Sequence, residues 1–295
     1  MSKRYLIINA DDFGVCQQTN EAIAQAFSEG SIVTSTTIMT PCQYAADAVE
    51  HVKNNPKIKM GLHITTTAEW AQKWGPVAPV EQVPSLVDEN GHFYATSQDF
   101  ARHAKADELI IEMEAQYQFL ASRGVLPTHA DSHMGSVYGI AGPSFMKETL
   151  EFCARHKLPF RFMGNIENVR WMIGDRDDGT WEMYRQALDY ARQLGVGLID
   201  SLFSCPSRFS DLTGYEDMKE KYFQVISQLP EGISEIFMHP SLAHSPIPTQ
   251  GNGPAEQSWP QRVWEHQLLL DDDFKRHIER EGVVLVSYED APFTE

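Results

Sequence analysis

Cysteine is scarce in this sequence, and its few cysteines are widely spread. The 295 residues contain four, Cys16, Cys42, Cys153 and Cys205, and no two of them form a C-x-x-C pair. This excludes a disulfide-stabilised scaffold and a zinc finger. We expect buried free thiols in a reducing compartment.

Positive charge is also scarce. Lys and Arg number 24 against 41 Asp and Glu, which gives a formal net charge of −17 at pH 7. A nucleic-acid partner is excluded because contacts to phosphates need a basic face, and an anionic membrane surface is excluded for the same reason. An acidic protein is compatible with a neutral small partner such as a sugar. The alternative is that the charge serves only to keep the protein soluble.

Long apolar runs are missing. No segment approaches the roughly 20 apolar residues of a membrane span. The apolar run Tyr5–Ala10 is too short for a signal peptide and ends in two acids. The predicted location is therefore the cytoplasm.

Short apolar segments alternate with segments of helical periodicity along the chain. The predicted strands include Tyr5–Ala10, Lys57–Ile64, Pro127–Ser132, Val196–Asp200 and Ile233–Met238. A last helix is predicted over Trp264–Glu281, with a candidate break at Asp271–Asp273. Such alternation is typical of a mostly parallel α/β sheet, and about seven or eight β-α units favour an irregular, TIM-like (β/α) barrel. We predict a single domain over residues 1–295.

One region departs from this alternation. Residues 65–105 show little periodicity and contain Trp70, Trp74 and several prolines. Long irregular insertions in compact domains are usually functional or mobile, and this one follows His63 directly. We expect a wall or lid of a site, the alternative being a surface excursion packed by its own tryptophans.

Four predicted strands end in acids or histidines. In chain order, these residues are Asp11 and Asp12, His63, the series His129, Asp131 and His133, and His239. Since the carboxyl ends of parallel strands converge, these side chains are expected to meet. Two imidazoles and a carboxylate suit a divalent metal, and the remaining acid and histidine suit proton transfer.

Each residue taken singly has a structural alternative. Asp11–Asp12 could cap a turn or a helix, and His63 could be a core histidine. His239 could simply end a strand, and His129, deepest on its strand, could hydrogen-bond only within the core. The coincidence at four strand ends favours the functional interpretation.

The same segments resemble the motifs of the YdjC-like carbohydrate deacetylase family, which includes chitooligosaccharide deacetylases. In order, they are Asn9-Ala10-Asp11-Asp12-Phe13-Gly14, Gly61-Leu62-His63, Thr128-His129-Ala130-Asp131-Ser132-His133 and Met238-His239-Pro240. The segment Ile32–Thr37 is also similar to that family's second strand. The resemblance covers nearly the whole chain and implies a deacetylase-type barrel, related to polysaccharide deacetylases.

The resemblance also implies a role for each motif residue. Asp12, His63 and His133 match metal ligands, Asp11 matches the catalytic base, and His239 matches the acid. Arg161 lies where the family often has an arginine near the site, with an ordinary ion pair as the alternative. The cofactor is expected to be one divalent ion, zinc or magnesium first, with manganese, cobalt and nickel left open.

Four further residues are expected around this centre. His129 and Asp131 are placed behind the ligands, where a carboxylate can orient an imidazole. Trp70 and Trp74 could form a platform for a sugar, and core packing is the alternative for each.

The expected enzyme is a hydrolase acting on C–N bonds other than peptide bonds, which removes an acetyl group from an N-acetylated sugar or oligosaccharide with metal-activated water. One motif departs from the family: Met134-Gly135-Ser136 follows His133, where further histidines are common. This leaves the sugar open. The alternatives are another metal-dependent amide or ester hydrolase, a phosphoesterase, or a non-catalytic carbohydrate-binding homologue. The expected partner is a small carbohydrate. A homodimer is left open, since dimers are the commonest oligomers among soluble proteins in general.

Overall fold

Strands and helices alternate throughout the computed structural model, which describes residues 3–28, 30–174, 176–243 and 258–293. Its strands are β1 (Arg4–Phe13), β2 (Ser35–Ile38), β3 (Met60–Ile64), β4 (Ala130–Ser132), β5 (Phe160–Met163), β6 (Leu198–Ile199), β7 (Ser201–Phe203), β8 (Gly232–Met238) and β9 (Val284–Leu285). Its helices are α1 (Gln17–Ala26), α2 (Ala45–Asn54), α3 (Ser97–His103), α4 (Ala106–Ala121), α5 (Met146–His156), α6 (Ile166–Ile173), α7 (Asp178–Leu194), α8 (Tyr215–Ser227), α9 (Trp259–Leu269) and α10 (Asp272–Arg280). Within those ranges, none of the helices has the length and apolarity that crossing a membrane requires.

The strands form one parallel sheet that nearly closes on itself. Hydrogen bonds connect them in the order β6-β5-β4-β3-β2-β1-β8-β7, and β9 pairs with β1. The strands at the two ends of this order, β6 and β7, are separated in the chain by Asp200 alone. The predicted mostly parallel, irregular (β/α) barrel is thereby confirmed.

The first strand has hydrogen-bonded partners on both of its edges. β1 pairs with β8 over Arg4–Ala10 and with β2 at its other edge. Its residues are buried from Leu6 to Phe13. A continuous apolar run is typical of a parallel strand that is covered on both faces. The apolar core packs around this strand and the helices outside it.

The carboxyl end of β1 is distorted where the two aspartates lie. The register with β2 shifts between Ala10 and Phe13, and Asp12 has a left-handed backbone with φ 68°. Aspartate is among the residues that tolerate this conformation, and bulges at barrel rims redirect side chains. Asp11 and Asp12 consequently both face the same cleft, although neighbours in a regular strand point to opposite faces.

The long segment between β3 and α4 lies outside the sheet. It contains two short 3-10 turns, α3 and one antiparallel bridge between Val87 and Phe93. Glu112 of α4 accepts hydrogen bonds from the backbone N–H groups of Val77 and Ala78. The segment is therefore fastened to the barrel through both backbone and side-chain contacts.

Candidate metal centre and catalytic cleft

A cleft with a volume of ≈ 780 Å³ opens at the carboxyl ends of the strands. Its walls include Asp11, Asp12, His63, His133 and His239, which the strand-end pattern predicts, and Arg161, which the resemblance places near the site. They come from β1, β3, the turn after β4, β5 and the end of β8. The barrel thus brings together residues that are more than 200 positions apart in the chain.

Asp12, His63 and His133 direct one atom each at a common point. Asp12 Oδ1 lies 3.5 Å from His63 Nε2 and 3.6 Å from His133 Nδ1, and these two nitrogens are 3.2 Å apart. The distances to Oδ1 are too long for hydrogen bonds, and this buried oxygen has no hydrogen-bond partner in the described structure. A buried carboxylate oxygen without a partner is costly. One oxygen and two imidazole nitrogens that face each other fit a divalent metal.

The electrostatics of the two imidazoles favour a cation at this point. Burial lowers the pKa of His63, but Asp131 and Asp12 outweigh it and raise this pKa to about 10. Burial likewise lowers the pKa of His133, while Glu69 and Asp12 raise it to about 9. The carboxylates around the rings therefore attract a positive charge, which a proton or a metal ion can supply.

The second oxygen of Asp12 is held by an arginine from the far end of the chain. Arg262 Nη1 donates to Asp12 Oδ2 at 2.8 Å, and its guanidinium lies over the rings of Trp70 and Trp259. Burial raises the pKa of Asp12, but Arg262 and the two histidines hold this pKa well below its ordinary value. Asp12 is thus ionised, with Oδ2 occupied and Oδ1 open.

A different arginine, Arg161, stabilises the ionised form of Asp11. Arg161 donates two hydrogen bonds of 2.7 Å to its carboxylate, and Asn9 Nδ2 donates a third. Burial raises the pKa of Asp11, but Arg161 outweighs it and keeps this pKa far below the usual range. His239 Nε2 lies 4.0 Å from Asp11 Oδ2, and the His239 side chain is 32% exposed to the cleft.

Arg161 is itself surrounded by carboxylates. Beyond Asp11 it contacts Asp131 Oδ2 at 2.7 Å and Glu235 Oε1 at 2.8 Å. The other oxygen of Asp131 lies 2.5 Å from His63 Nδ1. Asp131 therefore connects His63, a candidate metal ligand, to Arg161, the arginine that binds Asp11. The group Asp11, His63 and Asp131 could also hold a cation by distance alone, but the Arg161 guanidinium already supplies the positive charge there.

The remaining predicted residues lie at different depths. His129 stacks on Tyr288, with ring centroids 3.8 Å apart, and is not among the cleft-lining residues. Burial, together with Arg161, holds the pKa of His129 well below its ordinary value. Trp70 lines the cleft but is only 1% exposed, and Trp74 packs against its edge. A platform role for the two tryptophans stays a prediction.

Two cleft residues, Glu69 and Arg262, have no counterpart in the sequence-based predictions. Glu69 accepts hydrogen bonds from His133 Nε2 at 3.1 and 2.9 Å. Neither residue follows a strand, so the strand-end pattern cannot find them. The one available signal is that Glu69 lies six positions after His63, inside the insertion already expected to form a wall.

Known proteins resemble this chain over nearly its whole length. The model of the family described as YdjC-like protein matches residues 5–280. A carbohydrate deacetylase from Thermoanaerobacter pseudethanolicus is 27% identical over 97% of this chain and 98% of that protein. A chitooligosaccharide deacetylase from Yersinia enterocolitica is 29% identical over 98% of this chain and 100% of its own length. The crystal structure of a candidate cellobiose-phosphate cleavage protein from Enterococcus faecalis matches with a TM-score of 0.76, at 28% identity and 98% coverage of both chains.

Proposed function

The chain belongs to the YdjC-like family, and from this premise we propose that it removes the acetyl group from an N-acetylated sugar with the help of one divalent metal ion. Its relatives are named as a carbohydrate deacetylase and a chitooligosaccharide deacetylase. The chain is therefore an enzyme of the carbohydrate deacetylase type, a hydrolase acting on C–N bonds other than peptide bonds.

One observation carries the metal dependence. The buried Oδ1 of Asp12 has no hydrogen-bond partner among the described residues and faces one nitrogen each of His63 and His133. A site with three protein ligands and open positions is typical of catalytic rather than structural metals. Zinc and magnesium remain the first candidates, and manganese, cobalt and nickel are compatible with the same donor atoms.

Asp11 is the proposed base. Because Arg161 holds the pKa of Asp11 low, this carboxylate can take a proton only from water that is already acidified. Asp12, His63 and His133 would hold a divalent ion, which would lower the pKa of water and polarise the acetyl carbonyl. Asp11 accepts the proton as the water oxygen forms its bond to the acetyl carbon.

His239 is the proposed acid. It lies on the cleft side of Asp11 and is partly open to solvent. When the C–N bond breaks, His239 gives a proton to the departing nitrogen, so that acetate and a free amino sugar leave. Exchange with solvent then returns both residues to their starting protonation states.

The cleft walls are compatible with a neutral sugar. Beyond the charged centre they are formed largely by apolar and aromatic side chains, among them Tyr138, Ile140, Leu202 and Phe237. Apolar walls around a few polar groups are typical of small-molecule sites. The arginines Arg161 and Arg262 are both paired with carboxylates, which disfavours a phosphorylated group as the reacting centre.

The test is acetate release from N-acetylated mono-, di- and trisaccharides by metal-stripped protein, with and without each divalent ion. We expect release that requires both the ion and His133, so that His133→Ala remains at background. Phosphate esters and simple acetate esters are assayed in parallel. Release from esters alone would favour another hydrolase, and binding of sugars without any turnover would favour a carbohydrate-binding homologue.

A further inference from the structure

Each ligand imidazole has a carboxylate at the nitrogen that points away from the candidate metal. For His63 this carboxylate is Asp131, which follows from the strand motif. For His133 it is Glu69, which comes from the insertion after β3 and belongs to no motif. Asp131 is fully buried, whereas Glu69 belongs to the cleft wall.

The contacts of Glu69 define the orientation and protonation of the His133 ring. A carboxylate only accepts hydrogen bonds, so His133 Nε2 carries the hydrogen and donates it. In the neutral ring the lone pair is then on Nδ1, the atom that faces Asp12 and His63. Hydrogen bonds from a ligand imidazole to a carboxylate fix the tautomer and increase the basicity of the ligand.

Among the described contacts, the Glu69 carboxylate has no hydrogen bond or ion pair to a residue other than His133. Both hydrogen bonds of its carboxylate go to His133, and its side chain is 17% exposed at the cleft. The neighbouring backbone is fastened independently, because Trp70 is buried against Trp74 and Ala68 N–H donates to Tyr94 O. Removing the charge of Glu69 should therefore leave the insertion folded.

We propose that Glu69 is a positioning residue of the metal centre, which holds His133 with Nδ1 directed at the ion. The proposal rests on the metal site of the proposed function. If Glu69 orients His133, the insertion is part of the metal centre, because Glu69 belongs to the insertion and not to a strand end.

Cobalt binding tests the proposal without any sugar. We titrate metal-stripped protein with Co²⁺ and record the visible absorption of the bound ion. The proteins compared are wild type, Glu69→Gln, Glu69→Asp and the matched control Glu89→Gln. Glu89 is an exposed residue of the same insertion. We expect Glu69→Gln to bind Co²⁺ about 10- to 100-fold more weakly with an altered spectrum, and Glu69→Asp to recover part of the affinity. Glu89→Gln should match wild type.

Affinity of Glu69→Gln within twofold of wild type would overturn the proposal, and so would a higher KM for sugar with unchanged Co²⁺ binding, since Glu69 would then be a substrate contact. The proposed function is judged separately by acetate release at saturating metal. If wild type binds Co²⁺ and Glu69→Gln binds it weakly, but no sugar is deacetylated, the assignment of Glu69 stands and the deacetylase function does not. Wild type that binds no divalent ion would refute both.

Discussion

Asp131 connects His63, a proposed metal ligand, to Arg161, which binds the proposed base Asp11. One oxygen lies beside His63 Nδ1, and the other contacts Arg161 and accepts a hydrogen bond from Thr37. The side chain is fully buried. A change at this position should therefore affect both halves of the site.

We predict that Asp131→Asn weakens divalent-metal affinity about 10- to 100-fold, the range found for such orienting partners. Asparagine has the same shape but lacks the charge that raises the basicity of His63. The affinity is measured by Co²⁺ titration, and urea unfolding establishes that the variant is folded. Asp189→Asn, which changes an exposed residue of α7, is the matched control, and an unchanged affinity in Asp131→Asn would refute the role of Asp131.

For single residues, the sequence predicts those that lie at the carboxyl ends of strands and misses those that lie elsewhere. Asp11, Asp12, His63, His133 and His239 could be found because parallel strands end at one face. Arg161 could be placed near the site only by resemblance, and its three carboxylate partners follow from packing. Glu69 and Arg262 could not be found, because their positions depend on how a loop and α9 fold back over the barrel mouth.

Among the elements, β3 contains a glycine, Gly61, two positions before His63, and packing explains why. A Cβ added at Gly61 would lie 2.5 Å from the ring of His129. That ring cannot move away easily, because Tyr288 stacks on it at a centroid distance of 3.8 Å. Gly61 thus makes room for the buried histidine that the strand motif places next to the site.

We predict that Gly61→Ala lowers the free energy of unfolding by about 1–3 kcal/mol, the usual cost of overpacking a core. Because β3 also carries His63, metal affinity should fall as well. Both are measured by urea unfolding and Co²⁺ titration. Gly164→Ala is the control, since its added Cβ would meet its nearest neighbour at 3.5 Å, an ordinary contact. Equal stability of the two variants would contradict the packing explanation.

Element boundaries show where local signals suffice and where they do not. The break in the last helix is where the sequence indicates it, because Asp271 caps α10 by accepting from the N–H groups of Asp273 and Phe274. The preceding helix begins at Trp259 rather than Trp264, with Pro260 in its first turn. The strand predicted at Val196–Asp200 is shifted and divided, since Asp200 uses its carboxylate to accept from Ile233 N–H.

Over the whole molecule, the site exists only when distant parts of the chain are assembled. Its residues come from both ends of the sequence, from Asp11 in β1 to Arg262 in α9, and from the insertion through Glu69. The unfolded chain therefore offers no comparable cluster to a metal ion. A ligand that binds only the folded state stabilises it by mass action.

We predict that divalent metal stabilises the whole barrel and, through Glu69, the insertion. At a free metal concentration about 100 times Kd, the expected gain is ~2.7 kcal/mol, which corresponds to a thermal midpoint several degrees higher for a chain of this size. Backbone amides around Glu69 should exchange hydrogen more slowly in the metal-loaded protein. The reason is that coupling is reciprocal: if the contact between Glu69 and His133 strengthens metal binding, bound metal strengthens that contact. Calorimetry and hydrogen exchange, each with and without the ion, measure the two effects.

Two variants separate the global effect from the local one. His133→Ala should lose most of the gain in thermal midpoint, because it lacks one of the three ligands. Glu69→Gln, compared at a metal concentration that saturates it, should keep a gain in midpoint but lose the added protection of the insertion, because the ion is bound while the connection to the loop is weakened. If the insertion is protected equally in wild type and Glu69→Gln, the insertion is not coupled to the metal through Glu69. If metal leaves the midpoint of wild type unchanged, the ion does not bind selectively to the folded barrel, and the metal centre itself is refuted.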